Sequence, residues 1–241
     1  MRREPAVKET CAPRRSGIAL AAALVALGAS LVTGCGAKKS PQPGPHETAV
    51  SIQNICDHSL DAKGVAALRL IRGESRLEIA LRADQQTVKQ VATALSDDLS
   101  GDTAQQEHFL CSLSKVGGLV PSGLDIQFQW SQQKPGDHDL ESAADVTVFD
   151  LAYGALSFDN GTYLGFTCPL PGALAAKSRK WYIDAHASTT GLDAVGRTEK
   201  REAAVRLLYS PAVKVAAALG CQGSDLPPTL GTLKPLPMKK K

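Results

Sequence analysis

An uncharged apolar run near the amino terminus is the feature that most constrains this chain. Residues 18–32 read IALAAALVALGASLV and follow two adjacent arginines, Arg14 and Arg15. The run is shorter than the roughly 20 residues that a membrane-spanning helix needs. A positive start followed by a short apolar stretch is typical of a signal peptide. We therefore expect the folded part of the chain to lie after this run, on the far side of a membrane.

The residues at the end of the run are Leu31-Val32-Thr33-Gly34-Cys35. An aliphatic residue three before a cysteine and a small residue directly before it resemble the lipobox of bacterial lipoproteins. The resemblance implies a signal peptide over residues 1–34, cleavage before Cys35, and a diacylglyceryl thioether on Cys35, with acyl chains such as palmitate. Several acyl chains on one residue suffice for stable membrane attachment. It thus implies a lipid anchor on the outer face of the bacterial cytoplasmic membrane.

This resemblance covers about the first 35 residues and extends to no domain family. An uncleaved anchor helix with an incidental cysteine is the alternative interpretation of the same residues. The arginine pair leaves twin-arginine export open, although the residues after it match that signal only in part, and the general secretory route is the expectation.

Composition divides the rest of the chain into a tether, a domain and a tail. Residues 35–49 hold the lipid-bearing cysteine and a stretch rich in proline and glycine, which builds no core. Residues 50–224 have the apolar content of one globular domain. Residues 225–241 are again rich in proline and close on three lysines, so we expect a solvated end.

The charge of the chain is concentrated near its start. Residues 1–35 carry five of the 27 basic residues and two of the 24 acidic ones, so the remainder has 22 of each. A balanced remainder has no positive field of the size that nucleic-acid binding requires. We therefore expect no nucleic-acid partner.

Alternating hydrophobicity predicts several strands in the domain. They lie at 76–82, 124–130, 145–150 and 179–187, the last with Trp181, Ile183, Ala185 and Ala187 on the core side. Asn160-Gly161 predicts a two-residue hairpin turn that places Phe158 opposite Tyr163 and Ser157 opposite Leu164.

Helical spacing predicts helices between these strands. One runs from Asp84 to Gly101 and a second from Asp102 to Gly118. Two short helices follow at 198–209 and 211–219, the latter with Ser210 as cap and Pro211 at its first position. The pattern predicts an α+β fold, an antiparallel sheet with helices packed on one face.

The cysteines after the lipobox are even in number, which suits an exported domain. Cys56, Cys111, Cys168 and Cys221 predict two disulfides, and the preferred pairing joins neighbours along the chain, Cys56–Cys111 and Cys168–Cys221. The sequence has no Cys-x-x-Cys spacing, so a thiol oxidoreductase or a zinc site is not expected.

Residues for catalysis are hard to find. Ser112-Leu113-Ser114-Lys115 matches Ser-x-x-Lys, but the companion motifs of that enzyme class are missing, and a lysine near a predicted helix end suits the helix dipole. Asp184 and His186 are two apart on a predicted strand and share a face, which suits a metal-ligand pair, an Asp–His couple or simply a solvated surface. We therefore name no catalytic residue, no metal and no cofactor other than the lipid on Cys35.

These observations favour a membrane-anchored lipoprotein whose domain binds a protein partner or a small ligand at the cell envelope. A cell-envelope hydrolase whose residues meet only in the fold is one alternative, and a structural envelope protein is another. The hydrolase would need serine, histidine and aspartate, or Asp184 and His186 with a third ligand, to converge in one cleft.

Overall fold

The computed structural model describes residues 55–72, 77–79, 85–101, 105–115, 123–133, 146–158, 160–188 and 198–237. Over these residues the chain has the predicted α+β fold. The helices are α1 (Ala62–Arg72), α2 (Val88–Gly101), α3 (Ala175–Ser178) and α4 (Thr198–Leu219). The strands are β1 (Leu77–Ile79), β2 (His108–Lys115), β3 (Gly123–Ser131), β4 (Thr147–Phe149), β5 (Gly154–Ser157), β6 (Gly161–Thr167) and β7 (Tyr182–Ser188).

The strands form one sheet in the order β1-β2-β3-β7-β6-β5-β4, and neighbouring strands are antiparallel. The central strand β3 alternates strictly, with Leu124, Ile126, Phe128 and Trp130 fully buried and the residues between them partly exposed. Such alternation means that one face of the sheet lies against the core. We call this the core face, and the opposite side the polar face.

Helices α2 and α4 cover the core face, as predicted. Helix α2 packs on β2 and β3, α4 packs on β5, β6 and β7, and α1 lies against α4. Two polar contacts tie α2 to the sheet: the Trp130 indole donates to the Leu95 carbonyl at 2.7 Å, and His108 lies 2.6 Å from the Asp98 carboxylate. Helix α2 begins with a reciprocal capping box between Thr87 and Gln90.

Both disulfides are present in the preferred pairing, Cys56–Cys111 and Cys168–Cys221. The first joins β2 to a short 3₁₀ turn, Cys56–His58, whose three residues have φ values of 53°, 54° and 53°. Left-handed backbone is costly for residues other than glycine. The turn is held from outside, since the Asp57 carboxylate accepts from the Val88 N–H at the start of α2 and the Lys214 ammonium donates to the His58 carbonyl.

The helix predicted from Asp102 to Gly118 is wrong, because residues 108–115 form strand β2. The pairing of β2 with β3 shifts between Phe109 and Cys111, which places an extra residue, Leu110, at a β-bulge. A bulge breaks the two-residue period. Leu110, Cys111 and Leu113 are all buried as a result, and their spacing imitates that of a helix.

The two helices predicted on either side of Ser210 are one continuous helix, α4, with Pro211 inside it. Ser210 does not cap a second helix. Its hydroxyl donates to the Ser59 carbonyl at 2.9 Å and accepts from the Asp61 N–H at 2.7 Å. Burial of Pro211 and Ala212 between α1 and the sheet keeps the helix together across the proline.

The register of the hairpin between β5 and β6 differs from the prediction, because each residue of β5 pairs two residues earlier on β6 than expected. Ser157 pairs with Thr162 and Ala155 with Leu164, and the Phe158 N–H donates to the Gly161 carbonyl at 2.8 Å. Phe158 therefore meets Tyr163 diagonally, with ring centroids 6.0 Å apart, and does not lie opposite it. Gly161 belongs to the strand and not to the turn.

Residues 225–237 pack on the domain, contrary to the expected solvated end. Leu230 and Leu233 are buried in the core, the Leu236 N–H donates to the Val148 carbonyl, and Pro235 pairs with Phe149 as an isolated bridge. The lysines at 239–241 lie outside the described residues. So do the signal peptide, Cys35, the tether over 35–49, Asp84 and the ends of the strand predicted at 76–82.

Within the described ranges, the structure has no helix both long enough and apolar enough to cross a membrane.

Candidate functional site

The side chains on the polar face of the sheet form rows that run across the strands. Directly paired residues share a face, so the register defines the rows. One row joins Gln127, His186 and Tyr163, and the next joins Gln129, Asp184 and Gly165. Both rows cross the three central strands β3, β7 and β6.

His186 is held as a neutral ring in the first row. The Gln127 amide nitrogen lies 3.2 Å from Nδ1, which makes Nδ1 the acceptor and leaves the hydrogen on Nε2. The Tyr163 ring stacks on the imidazole with centroids 4.2 Å apart. Burial lowers the pKa of His186 to about 4, against the opposing influence of the Asp125 carboxylate.

Gly161 makes room for this ring. A Cβ atom at Gly161 would lie 3.0 Å from Nε2 of His186, closer than side chains normally approach. The glycine of the Asn-Gly pair therefore leaves space for the His186 ring and is not a residue of the turn.

Asp184 is the most perturbed group on the face. Its side chain is 9% exposed, and its Oδ1 atom is buried with no hydrogen-bond partner among the described residues. Burial and, to a smaller extent, the Glu107 carboxylate together raise the pKa of Asp184 to about 7, against a hydrogen bond with Gln129 that lowers it. The carboxyl group is therefore close to half-protonated near neutral pH.

Two glycines follow this carboxyl group along its row of the sheet. Gly165 on β6 pairs with Asp184, and Gly154 on β5 pairs with Gly165, so the two strands place no side chain on this row. Aromatic pairs stand on either side of the row. Tyr163 with His186 forms one, and Tyr153 with Tyr182 forms the other, with ring centroids 3.8 Å apart and hydroxyl oxygens 2.7 Å apart.

A cavity of about 400 Å³ adjoins the row at the β3 end. It is lined by Gln105, Gln129, Ser131, Gln132 and Gln133, together with Trp130. Gln129, the hydrogen-bond partner of Asp184, is part of this lining. We name the region of Asp184, Gly165, Gly154 and the two aromatic pairs the Asp184 slot.

Ser112 and Asp125 form the row on the other side of His186. The Ser112 hydroxyl donates to the Asp125 carboxylate at 2.5 Å. The Ser-x-x-Lys reading fails on geometry, because residues 112–115 form a strand and a strand does not place residues three apart on one face. The serine is held by a carboxylate and not by an amine.

The sequence identified Asp184 and His186 as a pair on one face, and the structure places both there. Their partners Gln127, Gln129 and Tyr163 come from other strands and were missed, since only the strand register brings them together. The four disulfide cysteines lie away from the slot as structural cross-links. Cys35 lies outside the described part of the chain.

Among the described residues no group of three or more histidine, cysteine, aspartate or glutamate side chains could hold a metal ion. Asp184 and His186 thus have no third ligand there. Comparison of the chain with protein-family models, with curated proteins and with solved structures finds no match.

Proposed function

We propose that this chain is a lipoprotein anchored through Cys35 at the outer face of the bacterial cytoplasmic membrane, and that the polar face of its sheet binds a ligand there without catalysis. The lipobox at residues 31–35 supports the anchor. The two disulfides support an oxidising compartment. One observation carries the binding half of the proposal, the buried Oδ1 atom of Asp184 that has no hydrogen-bond partner among the described residues.

A buried acceptor without a donor destabilises a protein by about 1–3 kcal/mol. An asparagine or a leucine at position 184 would avoid the cost of burying a carboxylate. Groups that are costly for the fold and perturbed in pKa concentrate at functional sites. A ligand that donates to Oδ1 would supply the missing partner, which is why the carboxyl group favours binding as the function of this face.

The geometry favours a small ligand over an apolar protein surface. The slot adjoins a cavity of about 400 Å³, a size within the range of small-molecule sites. Large exposed hydrophobic side chains in the described part of the chain are Leu70 and Leu236, one on α1 and one in the carboxyl-terminal segment. Two isolated leucines do not form the contiguous apolar patch that marks a protein interface.

The contacts on this face argue against the hydrolase alternative. A serine hydrolase needs a histidine that accepts a proton from the serine and is oriented by a carboxylate. Here the described partner of the His186 Nδ1 atom is the Gln127 amide, and Asp125 holds the Ser112 hydroxyl directly. The low pKa of His186 also makes it a weak base at neutral pH.

Mass spectrometry of the protein extracted from its own membrane tests both halves of the proposal. Under denaturing conditions we expect a chain that begins at Cys35 and carries a diacylglyceryl group. Under native conditions we expect an additional noncovalent adduct. In Gly161→Val the new side chain would displace His186, so this adduct should be lost.

Gly231→Val is the matched control, because a Cβ atom at Gly231 meets nothing within 4 Å and the adduct should persist. A chain that retains residues 1–34 would contradict the anchor. A native mass with no adduct in wild type, or an adduct equally present in Gly161→Val, would contradict the binding site and would favour the structural envelope protein.

A further inference from the structure

We propose that the Asp184 slot binds its ligand through one ammonium group. The inference rests on the proposed function, because it names the ligand chemistry of the same face. It follows from the charges of the face, from the unpartnered acceptor at its centre and from the aromatic rings beside it.

The charged side chains that the described strands place on the polar face are acidic. Strands β2, β3, β6 and β7 place no lysine or arginine on it within the described ranges, whereas Asp125 and Asp184 lie on it and Glu107 acts on Asp184 from the end of β2. A face with carboxylates and no basic residue attracts cations and repels anions. This excludes phosphate and carboxylate groups as the part of a ligand that enters the slot.

The Oδ1 atom of Asp184 determines whether the bound group must donate or accept a hydrogen bond. It is a buried acceptor, so the ligand has to donate. An ammonium group has three donors and no acceptor, and its charge compensates the carboxylate that burial otherwise disfavours. A neutral hydroxyl would satisfy the oxygen but would leave the charge of the buried carboxylate uncompensated.

The neighbours of Asp184 in the sheet suit such a group. Asp184 lies between the rows of His186 and Tyr182, and successive rows on one face of a strand are about 7 Å apart. The row of Asp184 continues into Gly165 and Gly154, which bring no side chain of their own to it. Tyrosine rings on both sides provide the electron-rich surfaces that bind organic cations.

Binding of an ammonium group would shift the protonation of Asp184. The groups facing it are Glu107, His186, Tyr163 and the tyrosine pair Tyr153 and Tyr182, with Asp125 beyond His186. His186, whose pKa burial lowers to about 4, and Tyr163, whose pKa burial raises, are neutral near pH 7, so Asp184 is the group that changes charge. Ligand affinity should therefore increase about tenfold from pH 6 to pH 8, with about half a proton released per ligand at pH 7.

Titration of the mature protein with ethylammonium, followed by the NMR signals of His186 and Tyr163, tests the inference. A probe this small binds with a Kd of about 1 mM at best. We expect saturable shifts, the tenfold pH dependence, and a loss of affinity of about tenfold or more in Asp184→Asn. Nα-acetyl-lysine methylamide, titrated in parallel, distinguishes a lysine side chain of a protein from a free amine as the source of the ammonium group.

Asp125→Asn is the matched control, because it removes the same charge from the same face at a carboxylate already held by Ser112. It should change ethylammonium affinity by less than about threefold. Equal affinity in wild type and Asp184→Asn, or no saturable shift with either ammonium probe, overturns the ammonium inference. Saturable binding of ethylene glycol in place of the ammonium probes also overturns it, but would leave the face as a binding site. Failure of the proposed function itself is recognised separately, by the absence of the native adduct.

Discussion

Asp184 and His186 make opposite contributions to the pH dependence of stability. The pKa of Asp184 is about 7 in the folded protein, above its ordinary 3.8, so between these values the folded state holds a proton that the unfolded state has released. The contribution of Asp184 to the free energy of unfolding therefore falls as pH rises from about 4 to about 7. The pKa of His186 is about 4 when folded, below its ordinary 6.5, so its contribution rises with pH over nearly the same range.

The two contributions oppose each other and cancel in part in the wild type, so that a single substitution reveals the one that remains. For Asp184 the shift of about three pKa units corresponds to about 4 kcal/mol. For His186, which is partly exposed, we expect about 2 kcal/mol. Asp184→Asn should thus gain stability relative to wild type by about 4 kcal/mol as pH rises from 4 to 7. His186→Gln should lose about 2 kcal/mol relative to wild type between pH 4 and pH 6.5.

Urea unfolding of the mature, oxidised protein from about pH 4 to pH 8 measures these differences, with the fluorescence of the buried Trp130 as the signal. The free energies of unfolding of variant and wild type are compared at each pH. Because the other carboxylates titrate in both proteins, their effect cancels in this difference. Parallel stability curves for wild type and Asp184→Asn would refute the reasoning, since they would mean that Asp184 titrates alike in both states. A shift in the same direction for both variants would also refute it.

Three further predictions concern the fold. Replacing Cys56 and Cys111 together by alanine should lower the free energy of unfolding by about 2–4 kcal/mol, measured by urea unfolding, because the left-handed turn loses its link to β2; an unchanged midpoint would contradict this. Leu233→Ala should cost about 2–4 kcal/mol and Leu236→Ala, at an exposed position, less than about 0.5 kcal/mol; equal effects would mean that the segment after Ser224 does not pack. Trp130→Phe should lower the melting temperature through the lost bond to the Leu95 carbonyl, at a cost of about 1–3 kcal/mol, and an unchanged melting temperature would show that the bond is not formed.

The elements that were predictable from sequence are those with one face fully buried. Strand β3 alternates without interruption, and the shared face of Asp184 and His186 on β7 follows from the same two-residue period. The limits of β7 did not follow, because the strand begins at Tyr182 and not at the predicted residue 179. Helix α2 was predictable for the same reason, since its buried residues Val91, Leu95 and Leu99 recur at helical spacing. The even count of cysteines predicted two disulfides, and the structure confirms the pairing that was preferred among the three possible ones.

What was missed depends on contacts between distant segments. Strand β2 was not predicted because of the bulge at Leu110. An extra residue in a strand interrupts the two-residue alternation of buried and exposed side chains from which strands are predicted. Pro211 lies inside a helix because α1 and the sheet enclose it, which no local signal shows. The hairpin register brings Gly161 next to the ring of His186, a contact between residues 25 positions apart that no local signal shows.

The partners of Asp184 and His186 were unpredictable for the same reason. Gln127, Gln129 and Tyr163 look like ordinary surface residues of separate strands, and their meeting depends on the pairing of β3 and β6 with β7. The raised pKa of Asp184 likewise comes chiefly from its burial in the fold, which the sequence does not show. Sequence could place two residues of the site on one face, but only the sheet assembles the rest.

The order in which Asp184 and His186 titrate tests the central claim most directly. An NMR titration of the mature protein, with the side-chain carboxyl carbon of Asp184 and the imidazole of His186 observed in one sample, measures both pKa values together. We predict a reversed order, with the histidine near 4 and the aspartate near 7. The ordinary order, with the aspartate titrating near 4 and the histidine near 6.5, would contradict a buried, unpartnered carboxyl group and the binding site built on it.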